Sequence, residues 1–206
     1  MTANSQEPNR AGSPPQNRAT AFSKPLCCRY VFAGFKTLHL PVRDGDGAAK
    51  HIPWRWALGL FKQDQYELLG AWSAQVPTVS VAHELHDRGI EHIKALSGDG
   101  SVDCTSTYPD AVAWSARSDP DAEGTFGPRR RAALLSATAA AERLQASLTR
   151  AIQRQAPFAN EGAAVAFLMH ALENADRQLQ GFPKLRFKTT LPRPRAAETP
   201  ASQHAA

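Results

Sequence analysis

The sequence lacks an uninterrupted apolar run of about 18 residues or more, the length that predicts a membrane-spanning helix. It also lacks the amino-terminal hydrophobic region of a secretory signal, so we expect a cytoplasmic protein. Cysteine is scarce: Cys27 and Cys28 are adjacent, and Cys104 is distant. Paired C-x2-C motifs for structural zinc are therefore absent, and the odd number of cysteines favours reduced thiols.

What the sequence has instead is unevenly placed positive charge. The 206 residues carry a formal net charge of +5, with a pI near 9.4. Basic runs of this kind are compatible with a phosphate backbone, and a solubilising tail is an equally good interpretation of charge alone. The basic residues concerned are Arg129, Arg130, Arg131 and, in a stretch with no acidic residue, Lys184, Arg186, Lys188, Arg193 and Arg195.

Composition divides the chain into three parts. Residues 1–26 are mostly rich in Asn, Ser, Pro, Gln and Ala, and we expect a disordered tail there. Residues 184–206 are basic and rich in proline, and we expect a second disordered tail. The part between them, residues 27–183, is long enough to bury the core of one domain.

The first half of this domain has the pattern of strands. Cys27–Arg43, His51–Phe61 and Tyr66–Ala74 are β-prone segments joined by short turns, which predicts an antiparallel meander. Apolar residues then recur at helical spacing from Val76 to Leu85, and the stretch Ile93–Gly100 is predicted as a fourth strand, parallel to its predecessor, that ends at Asp99. Three antiparallel strands, a helix and a parallel strand are the beginning of a ribonuclease-H-like α/β fold.

The second half is predicted to be helical. Residues 110–127 are polar and irregular, and a long helix follows from Arg129 to about Gln155. The segment Ala156–Asn160 interrupts it, and Asn160 can cap a second helix that ends near Gln180. The core is therefore expected to end with two C-terminal helices.

Several residues are candidates for a functional site. Asp99 lies between two glycines at the end of the fourth strand, where a turn is the competing interpretation. Glu142 lies one residue off the apolar stripe of the long helix, where a solvated side chain is the competing interpretation. His83 and His86 miss the H-E-x-x-H zinc spacing by one residue. The tryptophans Trp54, Trp56 and Trp72 are expected to pack between strands rather than to stack on bases.

Several blocks of the sequence, spread over roughly residues 30–180, resemble Mutator-type transposases of bacterial insertion sequences. The most specific block is "ERLQASLTRAIQRQAPFANEGAA", which is similar without a gap to the C-terminal catalytic block of that family. "AFLMHALENADRQL" continues the similarity. Shorter blocks that resemble the family are "HLPVRDGDG", "YELLGAW", "ELHDRGIEHIKALSGDG" and "TYPDA".

The resemblance implies a ribonuclease-H-like core that cuts and joins DNA with Mg²⁺ held by three carboxylates. Asp99 matches the second carboxylate and Glu142 the third. Oxygen ligands suit this hard cation, and two metal ions would activate the attacking group and stabilise the leaving oxygen. DNA is then the expected partner, and a homodimer is compatible with the resemblance. The residues expected to contact nucleic acid are Arg129, Arg130, Arg131, Arg150, Arg154, Lys184, Arg186 and Lys188.

The sequence departs from the family pattern at the first carboxylate. Counted back from Val42-Arg43, that aspartate falls on Lys36, whose ammonium group repels Mg²⁺. The family's asparagines around the glutamate are replaced by Ala139 and Gln145. We therefore expect a truncated and degenerate transposase that has lost cleavage. A non-catalytic module that binds DNA or a protein partner, and a non-functional remnant that barely folds, are the alternatives.

Overall fold

The computed structural model of the chain describes residues 22, 24–43, 48–62, 64–98, 104, 106–116 and 126–181. These residues form a mixed α/β fold with a mostly antiparallel sheet. In chain order the elements are β1 (Arg29–Tyr30), β2 (Phe32–Arg43), β3 (Ala49–Lys62), β4 (Gln65–Ser73), α1 (Thr78–Asp87), β5 (His92–Ile93), β6 (Ala95–Gly98), β7 (Val112–Ala113), α2 (Pro128–Gln155) and α3 (Glu161–Gly181).

The predicted meander and crossover are both present. Strands β2, β3 and β4 pair antiparallel in succession. Helix α1 then leads the chain across to β6, which pairs in parallel with β2. The five-stranded sheet has the order β4-β3-β2-β6-β7, so β2 lies at its centre.

Two of the three two-residue strands, β1 and β5, overlap segments predicted as parts of longer strands, and the third, β7, was not predicted. β1 is separated from β2 by Val31 and pairs in parallel with β5, and the Lys94 N–H that follows β5 donates to the Tyr30 carbonyl oxygen of β1. β7 pairs in parallel with β6, so Val112–Ala113 is a strand within the segment predicted to be irregular. Such short strands are defined by their partners, and no period of two can be read from them.

Both predicted C-terminal helices are confirmed, and together they cover one face of the sheet. α2 buries Leu144, Leu148 and Ile152 against the sheet, in the stripe that the helical period predicts. The Asn160 side chain accepts a hydrogen bond of 2.8 Å from the Ala163 N–H, which is the expected cap of α3. The opposite face of the sheet packs against α1 through residues such as Leu85.

The tryptophans lie where packing was predicted. Trp54 and Trp56 are buried in the core under α2 and α3, and Trp72 is buried in the core under α1. The Trp72 indole N–H also donates to Glu84 of α1 at 2.8 Å. These side chains therefore stabilise the sheet from both faces and present no surface for stacking on bases.

The boundary predicted at residue 27 is not sharp, because the preceding residues already contact the core. Phe22 and Leu26 are buried, and the Lys24 ammonium donates to the Asp176 carboxylate at 2.7 Å. Asp176, itself buried in α3, also accepts the Leu68 N–H of β4 at 2.8 Å. One carboxylate thus connects the amino-terminal segment, the edge strand and the last helix.

A second polar contact fixes the same segment. The Tyr30 hydroxyl donates to the Glu67 carboxylate and accepts the Cys27 N–H. Burial, followed by the hydrogen bond and the charge of Glu67, raises the pKa of Tyr30 above its ordinary value. The hydroxyl therefore remains a donor at every physiological pH.

Candidate functional site

The centre of the sheet brings together Lys36 and Glu142, which the resemblance predicts to occupy the positions of the family's first and third carboxylates. Lys36 lies midway along β2, where it pairs with Trp56 of β3. Side chains alternate along a strand, so Lys36 faces α2 as Leu38 and Leu40 do. Glu142 lies on α2 directly above this position.

Lys36 and Glu142 form an ion pair. The Lys36 Nζ atom is 2.7 Å from the Glu142 Oε1 atom, and the lysine side chain is 14% exposed whereas the glutamate side chain is 58% exposed. A pair this open to water contributes little to folding stability, because solvent screens it. Its importance is chemical: the ammonium group satisfies the carboxylate that would otherwise be available to a cation.

Gln145, three residues further along α2, forms hydrogen bonds that connect the helix to β2 and β3. Its side-chain oxygen accepts the Trp56 indole N–H at 2.8 Å, and its amide nitrogen donates to the Thr37 carbonyl oxygen at 2.7 Å. The sequence marked Gln145 only as a difference from the transposase pattern. Its amide holds α2 in place relative to β2 and β3, and thereby sets the position of Glu142 over Lys36.

Asp99, the predicted second carboxylate, lies outside the described residues. The last described residue before it is Gly98, which ends β6 and pairs with Phe35, the neighbour of Lys36. Within the described ranges, no three His, Cys, Asp or Glu side chains come together as ligands for a metal ion. His86 of the alternative zinc pair has its Nδ1 atom 3.0 Å from the Ile90 carbonyl oxygen.

The solvent face of α2 carries a row of arginines. Arg129, Arg143, Arg150 and Arg154, called here the arginine stripe, are exposed and fall within about 60° of one another around the helix at 100° per residue. The stripe is about 37 Å long at 1.5 Å per residue. None of the four forms an ion pair with a described residue. Arg143 was missed by the sequence analysis, although its helical spacing to Arg150 and Arg154 identifies it.

The other predicted nucleic-acid contacts fall into two groups. Arg130 and Arg131 lie in the first turn of α2, which begins at Pro128 and has no acidic residue. Cations at the amino end of a helix oppose the helix dipole, so their placement there does not favour helix stability. Lys184, Arg186 and Lys188 lie outside the described residues.

Comparison of the sequence with models of protein families gave no match, and comparison with curated proteins gave none either. In the part of the chain that the structure describes, no helix is both long and apolar enough to cross a bilayer.

Proposed function

We propose that the chain is a degenerate core of a Mutator-type transposase that keeps a ribonuclease-H-like arrangement and has lost DNA cleavage. The succession of β2, β3 and β4, the crossover through α1 and the parallel β6 supports the ribonuclease-H-like part of the proposal. The similarity of the Glu142–Ala164 block to the family's catalytic block supports the transposase part. α2 holds this block against the central strand of the sheet.

The observation that carries the proposal is the ion pair between Lys36 and Glu142. The resemblance assigns both positions to carboxylates, which would repel one another without a cation between them. With Lys36 in the first position, its ammonium is 2.7 Å from Glu142 and supplies that positive charge from within the chain. We propose that the ion pair replaces the contact between a carboxylate and a metal ion.

The side chains at this position do not fit Mg²⁺. Magnesium requires oxygen ligands at about 2.0–2.1 Å in octahedral geometry, and an ammonium offers none. A divalent ion beside Glu142 would also have to displace the Lys36 ammonium. We therefore propose that the magnesium chemistry of the ancestral enzyme does not operate here.

Incubation of supercoiled plasmid with the purified full-length chain in Mg²⁺ or Mn²⁺ tests the loss of cleavage. We expect no nicking above a buffer control, and the same background for Asp99→Ala and Glu142→Gln. Metal-dependent nicking that disappears in both variants would contradict the proposal, because it would require a working carboxylate site. Nicking that persists in both variants would come from a contaminating nuclease, because it would depend on neither carboxylate.

A second candidate function is binding of duplex DNA without cleavage. The arginine stripe favours it, because its guanidinium groups are exposed, have no ion pair with a described residue and project from the face of α2 opposite the core. Three exposed alanines lie along one side of the stripe, and their short side chains allow a phosphate backbone to approach closely: Ala132, Ala139 and Ala146.

A further inference from the structure

A cleft distant from the Lys36–Glu142 pair lies where the two-stranded sheet β1–β5 meets the end of β3. Its volume is about 310 Å³, at the lower end of the range found for small-molecule sites. Val31, which lines the cleft and immediately precedes β2, is five positions from Lys36, a distance of about 16 Å along an extended chain. The cleft is therefore separate from the pair.

The floor of the cleft is aromatic and apolar. Tyr30 and Phe61 form an edge-to-face pair with ring centroids 6.1 Å apart and an interplanar angle of 73°. Tyr30 is buried and its hydroxyl is held by Glu67, so its ring is fixed, whereas Phe61 is only partly buried. The partly exposed Phe61 ring, supported from beneath by the fixed Tyr30 ring, is a surface on which another planar ring can stack.

The rim of the cleft is cationic. Arg29 and His92 are directly paired in the parallel register of β1 and β5, so their side chains stand side by side over the cleft. Lys94 completes the rim and lies 3.8 Å from Asp110. Neither Arg29 nor His92 has an ion-pair partner among the described residues. The rim thus has two donors available for an anion, and Asp110 offsets only Lys94.

We propose that this cleft binds a mononucleotide, with the base on Phe61 and the phosphate between Arg29 and His92. The aromatic floor suits the base and the cationic rim suits the phosphate. A ligand that has only one of these groups contacts only part of the cleft. The planar guanidinium of Arg29 can donate two hydrogen bonds to one phosphate, and the His92 ring supplies a further donor. The volume suits a single nucleotide. This inference does not rest on the transposase proposal, because it uses no residue of that site.

Isothermal titration of the full-length chain with adenosine 5′-monophosphate, adenosine and inorganic phosphate tests the proposal. We expect the mononucleotide to bind at least about tenfold more tightly than either part, because each part makes only some of the contacts. Arg29→Ala and Phe61→Leu should each weaken its binding about tenfold. The matched control is Lys62→Ala, which removes an exposed cation next to Phe61 that does not line the cleft.

Three results would overturn the proposal. The first is no binding of the mononucleotide at millimolar concentration by a wild-type chain whose circular dichroism is that of a folded protein. The second is binding that Lys62→Ala weakens as much as Arg29→Ala does, which would indicate attraction by general charge. The third is inorganic phosphate that binds as tightly as the mononucleotide, with no effect of Phe61→Leu, which would reduce the cleft to a simple anion site.

Discussion

Replacement of Asp176 by alanine is expected to lower the free energy of unfolding by about 2–3 kcal/mol, a large fraction of the stability of a small domain. The carboxylate is buried, and it accepts the Leu68 N–H at 2.8 Å and the Lys24 ammonium at 2.7 Å. Without it, the N–H of a fully buried strand residue loses this acceptor. Lys24 contributes less to the loss, because its side chain is one-third exposed and remains near Glu67.

Urea unfolding followed by circular dichroism measures this effect. Asp176→Asn keeps an oxygen for the Leu68 N–H and should lose about half as much stability or less. Asp110→Ala, at a side chain that is 64% exposed, should change the free energy of unfolding by less than about 0.5 kcal/mol. If Asp176→Ala were no more destabilising than Asp110→Ala, the carboxylate would not hold the amino-terminal segment, β4 and α3 together.

For the binding of duplex DNA that we propose, replacement of Arg143, Arg150 and Arg154 together by alanine is expected to lower the affinity about 100-fold near 0.1 M salt. Each phosphate that the variant no longer neutralises should also lower the slope of log K against log salt by about 0.9, and the three together by about 2–3. The physical reason is that fewer counterions are released when fewer phosphates are neutralised. Fluorescence anisotropy with a labelled duplex, repeated at several salt concentrations, measures both quantities.

The matched control removes the same charge elsewhere. Arg43, Lys50 and Lys62 are exposed cations of β2 and β3, and their triple alanine variant has the same net charge as the stripe variant. We expect it to retain most of the affinity and nearly the full salt slope. Equal losses in the two variants would show that net charge, rather than the arginine stripe, determines binding, and an unchanged stripe variant would exclude α2 as the contact surface.

The regular elements could be predicted from the sequence because their patterns are local. The β-prone segments separated by turns predicted β2, β3 and β4, and the spacing of Leu144, Leu148 and Ile152 predicted the buried face of α2. The partnership of β1 with β5 could not be predicted, because Arg29 and His92 are far apart in the chain and each strand is two residues long. The cleft that this pairing creates was missed for the same reason.

The candidate site was predictable in part. Alignment to the transposase pattern placed Lys36 at a carboxylate position, and the helical period placed Glu142 just off the buried stripe. That the two side chains meet depends on how α2 lies across the sheet, and Gln145 fixes this through Trp56 and Thr37. A polar side chain that bonds across elements has no signature in the periodicity of its own helix.

We propose that the Lys36 ammonium takes the place of a metal ion beside Glu142. The most direct test of this substitution is titration of Mn²⁺ into wild type, Glu142→Gln, Lys36→Asp and the double variant Lys36→Asp/Glu142→Gln, with binding followed by the paramagnetic enhancement of water-proton relaxation. We predict no Glu142-dependent site in the wild type at millimolar Mn²⁺, and a site in Lys36→Asp that the second substitution removes. Binding of Mn²⁺ by the wild type as tightly as by Lys36→Asp, abolished by Glu142→Gln alone, would show that the Lys36 ammonium does not replace a metal ion.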